Sequence, residues 1–473
     1  MLAVRQTLAS LALSGPEAGF RVVGALLSGV EEPGLDIEVP VLGGLDNLAD
    51  VARRHDIEQL LVVLPASMRG RTSEIGVMAD RIGLAWRSLP TLNDQLLHRS
   101  ATASGGSAGL DLQALIGREV RPLDEGSLRS TLTDKVVLVT GAAGSIGSEL
   151  ARLAAGYGPS MLVLADRSEN GLFQIDGELA RSHPGVLRRA QIHDVTHRTA
   201  TRTLFGTYQP DVVLHAAAHK HVPLMEDHPS AAVENNFYGT RWVVDAAIDA
   251  GVDRMVMIST DKAVNPSSVM GASKRLAELY IQHRSADSPT TLAMVRFGNV
   301  LGSACSVLPI WAEQLSRGGP LTVTHPEMTR YFMTIPEAAG LVLQAAGYAQ
   351  GGEVFLLDMG EPIRVLDLAK RYLQQQGLEA DVDVPIRITG PRPGEKLFEE
   401  LAYDSEAMTP TEHERIRIWQ TTPPDAASMS QVFRTFDRLR DGSGAGPWDG
   451  TSQEAVATAL RQAIPEMVRA IAG

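Results

Sequence analysis

Apolar positions fall into short runs that alternate with amphipathic stretches along most of the chain. Near the front, "FRVVGALL" (Phe20 to Leu27), "VPVLGG" (Val39 to Gly44) and "QLLVVLP" (Gln59 to Pro65) read as buried strands. "LDNLADVARRH" and "TSEIGVMADRI" lie between and after them with helical spacing. Strand alternating with helix predicts a parallel α/β sheet. The first residues do not open such a domain. Leu2, Val4, Leu8, Leu11 and Leu13 predict a helix with a mainly one-sided apolar face. The strand and glycine turn that normally come first are missing, so the domain reads as either degenerate or truncated at its start.

"HRSATASGGSAGLD" (His98 to Asp111) breaks the pattern and reads as a linker or exposed loop. A second α/β unit opens near Lys135. The expected organisation is an N-terminal α/β domain over residues 1–97, a linker over 98–114 and a larger domain over 115–473. An amphipathic helix from Ser452 to Ala472 closes the chain.

Composition narrows the classes. The 473 residues leave room for two or three domains. A net charge of -13 gives no basic field for nucleic acid. The single cysteine, Cys305, allows no internal disulfide and suits a reducing cytoplasm. No apolar run reaches the roughly 20 residues that cross a bilayer. The expected location is cytoplasmic, with any membrane association peripheral. No metal site is assigned.

The strongest motif is "KVVLVTGAAGSIGSELARLA". An apolar strand turns through Gly141, Gly144 and Gly147 and enters a helix whose first residues include Ser145 and Ile146. Glycines let the backbone approach a pyrophosphate, and a helix N-terminus offers free N–H groups to it. A second strand, "MLVLADRS", ends at Asp166, Arg167 and Ser168, about 20 residues on, where a carboxylate can accept ribose hydroxyls. Asp166 favours NAD, because a 2′-phosphate would meet a like charge. Arg167 keeps NADP open. Asp194 and Val195 are placed to meet the adenine. Ala216, Ala217 and Ala218 are small enough for the backbone to run close to the nicotinamide ribose. The fold expected is α/β: a Rossmann-type doubly wound parallel sheet, preceded by the N-terminal α/β domain.

"STDKAVNPSSVMGASK" (Ser259 to Lys274) raises a chemical question. A short-chain dehydrogenase places a tyrosine four residues before its lysine, and here that position is Met270, which exchanges no proton. Thr260, Asp261 and Lys262 follow a strand end, where α/β enzymes place chemistry. A carboxyl and an amine side by side can act as acid and base when burial and mutual charge tune them.

From about Leu115 to Trp419 the chain resembles the UDP-N-acetylglucosamine 4,6-dehydratases of polysaccharide synthesis, which are extended short-chain dehydrogenases. The matching blocks are TGAAGSIGSEL, HAAAHKHVPLMEDHP, NNFYGT, STDKAVNPSSVMGASKR, VRFGNVLGS, VTHPEMTRYFMTIPEA and RPGEKLFEEL. Long members begin with transmembrane helices, none of which is found here. Met270 is the family's own variation. The resemblance implies a C-terminal substrate subdomain, a UDP-sugar substrate and a homo-oligomer joined through helices of the cofactor domain. It implies Asp261 as acid toward the C6 hydroxyl, Lys262 as base at C5, Thr260 on O4 and Lys274 on the nicotinamide ribose. The group that deprotonates O4 stays open among Lys262, Asp261 and a water relay. On the substrate side it implies Asn299, Arg330 and Arg392 at the diphosphate and Glu395 at the uridine ribose. Lys220, His221 and Met270 would face the sugar. His325 and His413 read as structural. Ala304 and Cys305 stand where relatives usually carry Arg-Gly, which puts substrate affinity in question. The missing front leaves the N-terminal domain a regulatory or assembly role at most. The alternatives are a UDP-sugar epimerase and a non-catalytic nucleotide-binding protein.

Overall fold

The apolar run before the glycines forms a strand, Val136–Thr140 (β1), whose Val137, Leu138 and Val139 are fully buried. The computed structural model describes residues 21–27, 40–62, 71–88, 110–118, 121–401, 408–420, 425–442 and 447–467. The chain divides into two compact units. The larger takes in Val120–Ala304, Glu327–Pro362 and Gly390–Gly473.

In the larger unit β1 is followed by Met161–Asp166 (β2), Arg188–Ile192 (β3), Val212–His215 (β4), Arg254–Ile258 (β5), Thr291–Arg296 (β6), Val354–Leu357 (β7), Met408–Pro410 (β8) and Ile416–Trp419 (β9). They form one sheet in the order β8-β9-β7-β6-β5-β4-β1-β2-β3. All pairs from β3 to β7 are parallel, and β9 runs antiparallel to β7 and β8. This is the Rossmann-type doubly wound sheet. Strand order reverses between β1 and β4, where such sheets leave a crevice beyond the strand ends. Thr140 pairs with Ala165 of β2 and with His215 of β4, so three strand ends are level there.

Five helices position the site: Ser145–Gly156 (α1), Gly239–Asp249 (α2), Val269–Ser285 (α3), Ala426–Asp441 (α4) and Gln453–Ala463 (α5). α3 is buried at every position from Val269 to Gln282. Its Leu276, Ala277 and Tyr280 share one core with Trp242 of α2, Phe433 and Phe436 of α4, and Val456 and Leu460 of α5. Phe237 stacks on Phe433 at 5.7 Å.

The other unit takes in residues up to Glu119, Cys305–Pro326 and Ile363–Thr389. Two parallel strand pairs form, Ala25–Leu27 with Val41–Gly44 and Gln59–Val62 with Ala85–Ser88; the first three match the expected strands in shortened form, and Ala85–Ser88 was not expected. Helices Leu48–Arg54 and Thr72–Arg81 accompany them. Asp111 caps helix Leu112–Ile116, and Arg371 of helix Val365–Gln375 donates to the carbonyl of Leu115 at 3.0 Å. The helix expected over Leu2 to Leu13 lies outside the described residues, as do residues 98–109 of the expected linker. Among the described residues, no helix is long and apolar enough to cross a membrane.

One buried charge cluster ties the sheet to α3. Glu278 accepts two bonds from Arg296 of β6, at 2.7 and 2.5 Å, and one from Ser259 at 2.7 Å. Arg275 adds a fourth at 3.2 Å. Burial disfavours the Glu278 charge, but Arg296, Arg275 and Ser259 outweigh it and hold the carboxyl below its ordinary 4.5. A depressed carboxyl contributes stability above its unfolded value and loses it as pH falls through the folded one. Glu278→Gln is expected to lower stability at neutral pH by about 3 to 5 kcal/mol, since Arg296 is left buried without its counter-charge. Urea unfolding midpoints measure this, and the gap between parent and variant should narrow as pH drops below 4.5.

Candidate active site

The glycine turn is fixed by contact. Gly141 has φ +71°, and a Cβ there would lie 2.6 Å from the backbone nitrogen of Ala217. A Cβ on Gly147 would lie 2.0 Å from the carbonyl oxygen of Gly141. The backbone of Ala216 and Ala217 therefore crosses the turn with no room for a side chain. Gly144 caps α1 with no side-chain bond, so the first N–H groups, around Ser145 and Ile146, are available to an anion. Asp166 is held at the end of β2 by the N–H groups of Ala143 (3.0 Å) and Ser168 (2.8 Å). Arg167 and Ser168 are exposed beside it. Asp194 accepts the N–H and hydroxyl of Thr196. Burial opposes its charge, but those bonds and Arg167 hold its carboxyl below the usual range. Val195 is buried, its side chain directed at Gly239. Ala218 is exposed. These residues form a cradle that fits a dinucleotide.

Beneath the turn lies a group that sequence reasoning did not single out. His215 is buried between Thr140 (2.7 Å) and Thr240 (3.0 Å). Thr240 donates to the carbonyl of Asn236, so its oxygen accepts from His215 Nε2, and Nδ1 accepts from Thr140. Burial, then the charge of Lys274, pushes His215 down to about 3, so it stays neutral. Asn236 bonds both backbone groups of His219 and the hydroxyl of Ser273. It sits in a π-helical turn, Val233–Tyr238, a form enriched at functional sites. NNFYGT carried the signal, but its partners are remote in sequence.

On α3, Met270 is buried in the core and Lys274 lies one turn later. Burial pushes the Lys274 amine down to about 8 against the pull of Glu278. Thr260 opens a short 3-10 turn, Asp261–Ala263, just beyond β5. Its hydroxyl donates to Asp261 Oδ1 at 2.9 Å, and Lys262 Nζ donates to the same oxygen at 2.9 Å. Lys262 also reaches Asn299 Oδ1 at 3.2 Å and lies 3.6 Å from Glu399. Burial disfavours the Lys262 charge, but Asp261 and Glu399 overcome it and hold the ammonium above the usual lysine range. Asp261 Oδ2 is buried with no hydrogen-bond partner among the described residues.

The expected substrate residues divide. Arg392 and Glu395 bond each other at 2.5 Å. Arg330 is buried and donates to the carbonyls of Thr329, Lys396 and Leu397, which anchors the RPGEK segment. Lys220 donates to the carbonyl of Ala304 at 2.8 Å, and the N–H of Ala304 donates to Ser145. His221 is exposed; partial burial, then Lys220 and Arg392, keeps it below its ordinary value. His413 bonds the carbonyl of Pro122 and accepts the N–H of Arg415, a structural role.

A family model described as "Polysaccharide biosynthesis protein" matches residues 137–421, more than half of the chain. The chain belongs to this family. All seven quoted blocks, from Thr140 to Leu401, lie inside the match. The chain is 42% identical over 380 residues to the capsular polysaccharide biosynthesis protein CapD of Staphylococcus aureus, covering 80% of this chain and 63% of that one. It is 41% identical over 405 residues to the probable polysaccharide biosynthesis protein EpsC of Bacillus subtilis, covering 85% and 67%. The chain thus spans about two thirds of the length of these family members. Among solved structures, Pen from Bacillus thuringiensis matches with a TM-score of 0.57 and 31% identity, covering 63% of this chain and 92% of that one.

The glycine cradle makes a direct prediction. Gly147→Ala forces the turn apart, and its affinity for a nicotinamide dinucleotide should fall by at least about tenfold, or 1.4 kcal/mol. Calorimetric titration of parent and variant measures it.

Proposed function

We propose that this chain is a nucleotide-sugar dehydratase that converts UDP-N-acetylglucosamine to the UDP-4-keto-6-deoxy sugar for surface polysaccharide synthesis. The observation that carries the reading is the Asp261–Lys262 pair beyond β5, with Asp261 Oδ2 buried and bonded to no group among the described residues. The family supports it. Met270, buried in the core, leaves the proton chemistry to this pair.

A bound nicotinamide supplies a hydride acceptor at sugar C4 and a donor at C6. The cradle around Gly141, Gly144 and Gly147 is suited to its pyrophosphate. The carboxylate of Asp166, fixed by two N–H groups, favours NAD over NADP, because a 2′-phosphate would meet it charge to charge.

The residues do the proton work. Removal of the C5 proton needs a neutral Lys262, and loss of the C6 hydroxyl as water needs a protonated Asp261. At rest the pair holds one proton, on Lys262. The 2.9 Å bond lets a proton pass between the two. After elimination Lys262 holds the C5 proton and returns it to C5 as C6 is reduced. Thr260 is placed to orient O4, and Lys274 to hold the nicotinamide ribose.

Incubation with UDP-N-acetylglucosamine in deuterated water, read by mass spectrometry, tests the reading. The expected product lacks one water and carries solvent deuterium at C5. An intact C6 hydroxyl with exchange at C5 points instead to an epimerase. Asp261→Asn is expected to lower dehydration by about 10²- to 10⁴-fold while NAD binding is kept. Unchanged turnover would remove Asp261 as the acid.

A further inference from the structure

Oxidation at C4 releases a proton from O4 before elimination begins. If Asp261 takes it on Oδ2, which no described residue bonds, Asp261 is protonated but Lys262 still carries its own proton. Lys262 then cannot act at C5. The pair alone holds one proton too many, and a third group must take it.

Glu399 is that group by position. It is 8% exposed, and its Oε1 lies 3.6 Å from Lys262 Nζ and 3.9 Å from Arg330 Nε. Its Oε2 is buried with no hydrogen-bond partner among the described residues. A movement of about half an ångström brings Oε1 within hydrogen-bond reach of Nζ. Nothing in the RPGEK motif assigns this residue. It lies four positions beyond Glu395, on a segment that Arg330 pins by its carbonyls.

We propose that Glu399 receives the proton that Lys262 must shed, so that Asp261, Lys262 and Glu399 work as one three-site proton relay. The inference rests on the dehydratase reading. At rest the relay holds one proton, on Lys262. O4 gives its proton to Asp261 as its C4–H hydride leaves to the oxidised nicotinamide. Lys262 passes its proton to Glu399. Lys262 then takes the C5 proton while Asp261 protonates the departing C6 hydroxyl, and the C6–O bond breaks. Hydride returns to C6, Lys262 returns a proton to C5, and Glu399 hands its proton back to Lys262. The O4 proton leaves in the water, and the relay is as it began.

Glu399 acts through Lys262, so it is a positioning residue. The charged groups facing Lys262 are Asp261, Glu399 and Arg330. Removing one anion must make the neutral amine more abundant at lower pH. The test compares the parent with Glu399→Gln and Glu399→Asp. Acetic anhydride labelling of Lys262 across pH, read by peptide mass spectrometry, needs no turnover. Its midpoint should fall by at least about one pH unit in the Gln variant and stay near the parent's in the Asp variant. An unchanged midpoint in the Gln variant overturns the proposal, whatever the reaction proves to be.

The second readout is the pH profile of C5 deuterium uptake. The Gln variant must lose the Lys262 proton to solvent, so its rate should be low at neutral pH and climb toward the parent's as pH rises. The Asp variant should keep the parent's profile. A Gln variant slowed equally at every pH overturns the relay. Absence of dehydration in the parent counts against the dehydratase reading, and the labelling midpoint still decides the coupling of Glu399 to Lys262.

Discussion

The pairing of Glu278 with Arg296 is the constraint on which the site depends. Both side chains are removed from solvent, and a buried charge of either sign is costly alone. The guanidinium fork satisfies both carboxylate oxygens, and Trp419 of β9 covers the Arg296 guanidinium at 4.8 Å. Ser259 is bound to the same carboxylate and immediately precedes Thr260. The end of β5, the strand β6 and the helix α3 are thereby locked to one another. Asp261 and Lys262 belong to the first of these, Asn299 follows the second, and Met270 and Lys274 belong to the third. A shift in the cluster would move all the proposed chemistry together.

Much of this was legible in the sequence, for identifiable reasons. The glycines are dictated by local sterics, so their spacing is visible without a fold. Buried strands on both faces leave unbroken apolar runs, and β1 and β2 are visible from them directly. The charged interior was not legible. Arg275, Glu278 and Gln282 lie on a helix buried on all sides, where periodicity marks them as a solvent face. His215 and Glu399 sit inside recognised blocks, but their meaning comes from partners far along the chain. Glu399 lies 137 positions after Lys262. The grouping of Cys305–Pro326 and Ile363–Thr389 with the N-terminal segment likewise has no local sequence signal.

The methionine at position 270 takes on a plain physical meaning. A tyrosine there would supply a phenol to the site. A buried methionine instead contributes to the core that α3 shares with α4 and α5. Under the proposed function the proton traffic falls to carboxylates and an amine, which exchange protons only if burial and mutual charge bring their affinities close together. Lys262 between two carboxylates, with Arg330 opposing them, is such an arrangement.

The central claim is a closed hydride cycle within one sugar. Its most direct test is UDP-N-acetylglucosamine carrying deuterium at C4, with the product's label located by NMR. The account predicts that the deuterium appears at C6 of a 4-keto-6-deoxy product. Deuterium retained at C4 of an intact sugar would contradict it.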